Sequence, residues 1–223
     1  MINIIISLLF MFFPRRLKNY AYRIVFGFQL DSSAIIGYSI ILPKALLMGE
    51  GSRIGHLTIV KGITLLSLGR FSSLGNLNWV TGFPKDTQSP HFGDQPDRRP
   101  ELIIGDHSAI TNRHLIDCTD SVSIGRFTTF AGFRSQILTH SISPLEARQR
   151  SGPVTLGDYC FVGTGSIFLP NTGLPSHSIL GAGAVLTSKF HDEFWLYGGT
   201  PAKAVQPLSR DLLYFHRKKG FII

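Results

Sequence analysis

The sequence predicts an all-β solenoid, a parallel β-helix whose short coils stack into a triangular prism. Three observations predict it. An aliphatic residue followed by glycine recurs along the chain, at Ile36-Gly37, Met48-Gly49, Ile54-Gly55, Leu68-Gly69, Leu74-Gly75, Ile104-Gly105, Ile124-Gly125, Leu156-Gly157, Val162-Gly163 and Leu180-Gly181. Many of these spacings are multiples of six, and Leu156, Val162, Phe168, Leu174, Leu180 and Leu186 follow at strict six-residue intervals. The composition agrees: among 223 residues there are 23 Gly and 17 Phe, and only 16% are charged. That mixture is too apolar for disorder and too rich in glycine for a helical bundle.

A period of six matches neither a helix at 3.6 nor a simple strand at 2. It fits a short strand and a tight corner, repeated, with one inward aliphatic side chain per side. Glycine after that aliphatic relieves crowding where the backbone turns. Three sides make one coil, and stacked coils share a continuous core. The register slips by two residues between Ile54 and Leu68, between Ile104 and Ile124, and between Ile124 and Leu156.

The chain divides into an apolar and basic N-terminal extension over residues 1–30, the solenoid over 31–206 and a C-terminal capping tail over 207–223. The run from Met1 to Phe13 is nearly all apolar and is followed by Arg15, Arg16 and Lys18. It is shorter than the roughly 20 residues of a spanning helix, and its charges follow the apolar region, the reverse of a signal peptide. An interfacial helix over residues 1–18, with its cations on anionic headgroups, fits this order; the other reading is an amphipathic helix packed on the body of the protein. Two excursions leave the solenoid. Residues 82–101 carry Pro84, Pro90, Pro96 and Pro100, and residues 141–153 carry Arg148 and Arg150; long loops on a regular solenoid are usually functional. Residues 207–219 are expected to form a short closing helix, basic at its end.

A net charge of +8 points to anionic partners such as a membrane surface or a phosphorylated cofactor. No basic stripe interleaved with stacking aromatics is present, so nucleic acid is not expected. Cys118 and Cys160 sit among small and apolar residues and read as buried thiols in a reducing compartment.

From Asn112 to Lys203 the sequence resembles the hexapeptide-repeat acetyltransferases, especially the branch of galactoside, maltose and capsular-polysaccharide O-acetyltransferases. The matching pieces run in that family's order. Asn112 to Asp117 resembles the acceptor-side segment with its Asn and Asp, and Ile137 to His140 the segment ending in the catalytic histidine. Pro153 to Gly163 resembles the resuming coils, and Ile179 to Thr187 with Gly198 to Lys203 the closing signature. The resemblance spans roughly residues 34 to 207. It implies a left-handed β-helix, a homotrimer with active sites between neighbouring prisms, and acetyl-CoA as co-substrate. Handedness comes from the resemblance alone, since most parallel crossovers are right-handed. Two departures remain: Gly199 and Thr200 precede Pro201-Ala202-Lys203 where relatives often have Asn, and Phe168 to Gly173 lacks the usual aliphatic-glycine start.

On this resemblance the expected catalytic residues are His140, Asn112 and Asp117. Histidine suits a general base because its ordinary pKa is about 6.5, and acyl transfer to a hydroxyl needs both a base and oxyanion donors. Asn112 is expected to bind the acceptor hydroxyl or the oxyanion, from a nearby corner or a neighbouring subunit. Asp117 is expected to orient either an acceptor hydroxyl or the imidazole. His114 reads as a second active-site histidine or an outward turn residue, and His114, Arg148 and His91 are the acceptor-side candidates. Gly163, Gly165, Ala182, Gly183, Thr187, Lys189 and Lys203 are the donor-side candidates, small residues for pantetheine and lysines for the phosphates. The other histidines read as surface or turn positions. No metal is expected, because His140 has no histidine partner a few residues downstream, as metal-binding β-helix enzymes require.

The expected function is acetyl-CoA-dependent O-acetylation of a sugar in polysaccharide or lipid-linked glycan biosynthesis, by direct transfer. The expected location is cytoplasmic, peripheral at the inner face of the membrane. Two other readings stand beside it: acetylation of an amino sugar or an amino acid, and a non-catalytic β-helix scaffold.

Overall fold

The computed structural model describes residues 2–87 and 89–222; Met1, Gln88 and Ile223, inside the expected extension, loop and tail, lie outside the described residues. The solenoid is present. Seven successive coils contribute one strand each to three faces of a prism, and the second face is extended by two further strands, Trp195–Gly199 and Ala202–Pro207. All pairing between coils is parallel, and the final pair turns back antiparallel to close the end.

The hexad residues are the core. On the first face Met48, Leu68, Ile104, Ile124, Leu156 and Leu174 stack in register. The second face stacks Ile54, Leu74, Ile110, Phe130, Val162 and Leu180, and the third stacks Val60, Val80, Ile116, Ile137, Phe168 and Leu186. All are buried, so one apolar column per face forms a continuous hydrophobic interior. The glycine after the inward aliphatic is needed for close approach between coils. A Cβ on Gly125 would lie 2.5 Å from the backbone of Gly157, closer than real Cβ contacts allow.

The three corners differ. The first, between the first and second faces, carries a ladder of rings. Phe71, His107, Phe127, Tyr159, His177 and Phe194 stack at 4.7–5.3 Å between centroids. His107 and His177 are thus turn positions, as expected, built into a stack. The tail runs along this corner: Phe215 meets His177 and Phe194 edge-on, and Arg217 lies 3.8 Å over Tyr214. Among its described residues the only helical turn is the 3-10 segment Leu213–His216, so the expected closing helix is replaced by a strap. Aromatic stacking and cation–π contact hold it where helix propensity is weak. The second corner holds the small-residue turns. The third emits both excursions.

The extension forms two helices, α1 (Ile2–Met11) and α2 (Arg15–Phe26), closed by Gly27 in the left-handed region. They cap the first coil, strands Gln29–Leu30, Ile35–Ile36 and Ile40–Leu42. Lys18 does not reach outward as expected. It is buried, and its ammonium donates to the carbonyls of Ile36 and Gly37 at 3.2 Å each, because the open end of a coil presents carbonyls that need donors. No helix among the described residues is long and apolar enough to cross a membrane.

Candidate active site

The candidate site lies at the third corner, where the fourth coil hands over to the fifth and the fifth to the sixth. Asp117 ends the strand Leu115–Asp117 of the fourth coil. One coil further on, the strand Gln136–Ile137 ends and His140 opens an antiparallel hairpin of His140–Ser143 and Arg148–Ser151. The expected excursion at 141–153 is therefore a hairpin that begins on His140 itself. Stacking of the coils brings residues 23 apart in sequence into contact: His140 Nδ1 lies 2.7 Å from Asp117 Oδ2.

Asp117 is built to stay ionised. Its Oδ1 accepts from the backbone N–H and hydroxyl of Thr119 at 3.1 and 2.7 Å. Its Oδ2 accepts from the backbone N–H of Thr139 at 2.9 Å and lies 2.8 Å from the Thr139 hydroxyl. Burial pushes this carboxyl up, but the hydrogen bonds from His140, Thr119 and Thr139 outweigh it and hold it below the ordinary carboxylate value. An ionised carboxylate only accepts. His140 therefore carries its proton on Nδ1 and leaves Nε2 with a free lone pair. The hydrogen bond it donates to Asp117 raises the imidazole pKa above 6.5, against burial and the Arg98 charge, which lower it. Its side chain is 40% exposed against 10% for Asp117, so the base can be reached and its partner cannot.

The loop over 82–101 roofs this pair. Arg98, buried, donates to the carbonyls of Phe83, Thr119 and Pro84 at 2.5, 2.7 and 3.3 Å. Its guanidinium lies 4.7 Å over the ring of Phe92, which meets the His140 ring edge-on at 6.0 Å. The loop is also tied to the hairpin. Gln95 and Ser151 exchange side-chain and backbone hydrogen bonds at 2.9 and 3.2 Å, and Asp94 pairs with Arg148 and Arg150. Between them is a cleft of about 520 Å³ lined by His91, Phe92, Asp94, Ile142 and Arg148, among others. A larger cleft of about 710 Å³ at the first corner, beside Lys218 and Phe221, is remote from this acid–base pair.

The structure separates the other expected site residues. His91 and Arg148 are exposed in the cleft beside His140. His114 is neither an outward turn residue nor open to an acceptor. It is 2% exposed, accepts from the Ser135 N–H on Nδ1, lies 3.0 Å from the Thr111 hydroxyl through Nε2 and packs edge-on against Phe130. Burial lowers its pKa to about 4, so it is a neutral core histidine. Asn112 is at the second corner, not the third; its side-chain Oδ1 accepts from the Asn76 backbone N–H at 2.7 Å. Gly163, Gly165, Ala182 and Gly183 share that second corner on the sixth and seventh coils. Gly165 and Gly183 have φ of +68° and +69°, and a Cβ there would meet nothing within 4 Å. Thr187 and Lys189 are exposed at the third corner after Val185–Leu186, and Lys203 is exposed on the closing hairpin. Sequence reasoning missed Thr139, Thr119, Arg98 and Phe92. The one available signal was Asp117-Cys118-Thr119, the spacing of an aspartate that closes its own turn.

Cys118 and Cys160 are free and fully buried. Burial pushes the Cys118 thiol well up and the Cys160 thiol to about 12, so neither is a nucleophile.

No protein-family model matches the chain. Solved structures do. The polysialic acid O-acetyltransferase OatWY overlaps it with a TM-score of 0.54 at 14% identity, covering 84% of this chain and 90% of that one. A hexapeptide-repeat-containing acetyltransferase from Vibrio cholerae overlaps with a TM-score of 0.50 at 15% identity, covering 92% and 87%. A variant of the N-acyltransferase AntD from Bacillus cereus, solved with dTDP and coenzyme A, overlaps at 0.47 and 14% identity, covering 89% and 92%. The chain has the left-handed parallel β-helix fold of the hexapeptide-repeat acyltransferases.

Proposed function

We propose that the protein is an acetyl-CoA-dependent O-acetyltransferase of a sugar hydroxyl, in polysaccharide or lipid-linked glycan biosynthesis, with His140 as general base. The observation that carries the reading is the Asp117–His140 pair: a buried carboxylate fixes the tautomer of a half-buried imidazole beside an open cleft. In the proposed reaction Nε2 takes the proton of the acceptor hydroxyl as its oxygen attacks the thioester carbonyl. The tetrahedral intermediate collapses, the carbon–sulfur bond breaks, and the imidazolium returns the proton to the departing thiolate. Asp117 stabilises the imidazolium and remains ionised, as the carboxylate of a serine-protease triad does. No acyl-enzyme is needed, in keeping with the inert thiols.

Assembly belongs to the reading. Asn112 and the small residues at 163–165 and 182–183 stand on the second corner, whereas Asp117, His140, Thr187 and Lys189 stand on the third. Two half-sites on two corners of one prism suit a homotrimer in which each active site takes one corner from each neighbour. Lys189 and Lys203 are the proposed partners of the CoA phosphates, and Arg148 and His91 of the acceptor. Cytoplasmic work at the inner face of the membrane completes the reading.

The test is CoA binding by calorimetry and CoA release with mixed glycan acceptors, on wild type and His140→Ala. Binding by both proteins, with turnover by wild type alone, supports the assignment. Absence of CoA binding by either overturns it in favour of a scaffold. Activity recovered on mixing His140→Ala with Asn112→Ala subunits supports a shared site.

A further inference from the structure

The N-terminal cap turns apolar stripes outward. In α2 two polar residues, Lys18 and Asn19, are buried against the body beside Tyr22, and Asn19 donates to the Ala34 carbonyl at 2.9 Å. The opposite stripe, Leu17, Tyr20 and Ile24, is exposed, with Ile24 68% accessible. In α1 the one fully buried residue is Ser7, whose hydroxyl lies 3.1 Å from that of Tyr22. The stripe Ile2, Ile5, Leu9 and Phe12, spaced for one helical face, stands outward, with Ile2 and Phe12 both 72% accessible. A helix in contact with water buries its apolar face and exposes its polar one. Here Phe10, Tyr22 and Phe26 pack inward, yet both helices also bury polar groups and leave an apolar stripe in the open, side by side.

The charge carried by the cap itself has one sign. Residues 1–30 contain Arg15, Arg16, Lys18 and Arg23 and no Asp or Glu. Lys18 is buried against its carbonyls; Arg15 and Arg23 also donate to carbonyls, those of Ser32 and Leu30, but with Arg16 they are exposed beside the apolar stripes. An apolar surface whose own charges are all cations is complementary to the acyl boundary and headgroups of an anionic leaflet. We infer that the outer surface of α1 and α2 is a monotopic docking face for the anionic leaflet of a phospholipid bilayer. The two stripes enter the headgroup region, Arg15, Arg16 and Arg23 pair with lipid phosphates, and Lys18 belongs to the fold and not to the lipid. The inference rests on, and gives residues to, the membrane location in the proposed function, while vesicle binding is read apart from acetyl transfer.

The experiment is vesicle co-sedimentation of the full chain, which reads no catalysis. Phosphatidylcholine vesicles are compared with vesicles holding about 30 mol% phosphatidylserine. Wild type is expected on the anionic vesicles, with weaker retention on the neutral ones. Leu9→Glu/Ile24→Glu is expected to lose binding to both by at least about tenfold. Arg15→Gln/Arg16→Gln is expected to lose only the anionic gain, about fivefold per charge. Both pairs are exposed, and thermal melts matching wild type confirm that the variants fold. Wild type on neither vesicle overturns the inference, as does binding that survives Leu9→Glu/Ile24→Glu. Sedimentation equilibrium separates the other occupant: a wild-type mass that falls in Leu9→Glu/Ile24→Glu, without vesicle binding, assigns the face to a second copy and also overturns it.

Discussion

His140 donates its Nδ1 proton to Asp117 across two stacked coils, at 2.7 Å. The bond joins a carboxylate that water barely reaches to a base that substrate can reach. Asp117→Asn keeps the shape but reverses the polarity of one oxygen, so the imidazole loses its tautomer and its counter-charge. We expect turnover to fall by about 10²–10⁴-fold, with CoA affinity by calorimetry unchanged. Unaltered turnover in Asp117→Asn would remove the pair from the chemistry.

The same bond sets the pH dependence. His140 acts as a base only when neutral, so the rate should rise with pH along a limb above 6.5, in the direction of its raised pKa. In Asp117→Asn burial and Arg98 act alone, and the limb should move down. For stability the signs differ. The raised imidazole contributes stability that is fully present below 6.5 and lost as pH rises through its folded value. The depressed Asp117 carboxyl contributes stability present above its ordinary 3.8 and lost as pH falls through its folded value. NMR titration of the ring and melts against pH check both.

Arg98 is a positioning residue for the loop over the site. Arg98→Met removes three carbonyl contacts and a stacked cation, so the acceptor kcat/KM should drop about 10–100-fold. Loss of its charge should also move the His140 limb up, since that charge lowers the imidazole pKa. Arg98→Lys keeps the charge without the fork; it should restore the limb and leave kcat/KM impaired. A limb that does not move in Arg98→Met would contradict the electrostatic role.

His114→Ala distinguishes a core histidine from an acceptor ligand. The substitution opens a cavity and strands the Ser135 N–H, costing about 2–4 kcal/mol in denaturant melts. The folded enzyme should keep its acceptor KM. A raised KM with intact stability would return His114 to the acceptor site.

Gly125→Ala tests the contact between coils. Its Cβ would press on the Gly157 backbone at 2.5 Å, and we expect a loss of about 1–3 kcal/mol. Gly165→Ala, where the same atom meets nothing, is strained only by its φ of +68°; it should cost about 1 kcal/mol.

The hexad pattern made the prism legible, because each inward residue pays its own periodic signature into the sequence: Leu156, Val162 and Phe168 are the three faces of one coil. His140 and Asp117 were legible as candidates, but not as a pair, since their contact depends on which corner each occupies. His114 was ambiguous for the same reason; a turn residue at a tight corner can swing in or out. Arg98 and Phe92 lie in a loop without a period, and their partners are carbonyls and rings that leave no spacing in the sequence. Lys18 misled because a basic residue after an apolar run reads as surface, whereas the open end of the first coil demanded a donor.

Insertion at the third corner has a bearing on how such a protein can change. Hydrogen-bonded neighbours in adjacent coils stand 18 residues apart early in the chain, 36 apart across the proline-rich loop and 32 apart across the hairpin. Leu68 still stacks on Ile104 and Ile124 on Leu156, as though nothing intervened. A doubling of loop length adds only about 0.6 kcal/mol of closure entropy, less than a single misplaced methyl group in the core. Selection can therefore rewrite the two roof segments, and with them the choice of acceptor, while folding stays governed by an unchanged neighbour-to-neighbour stack.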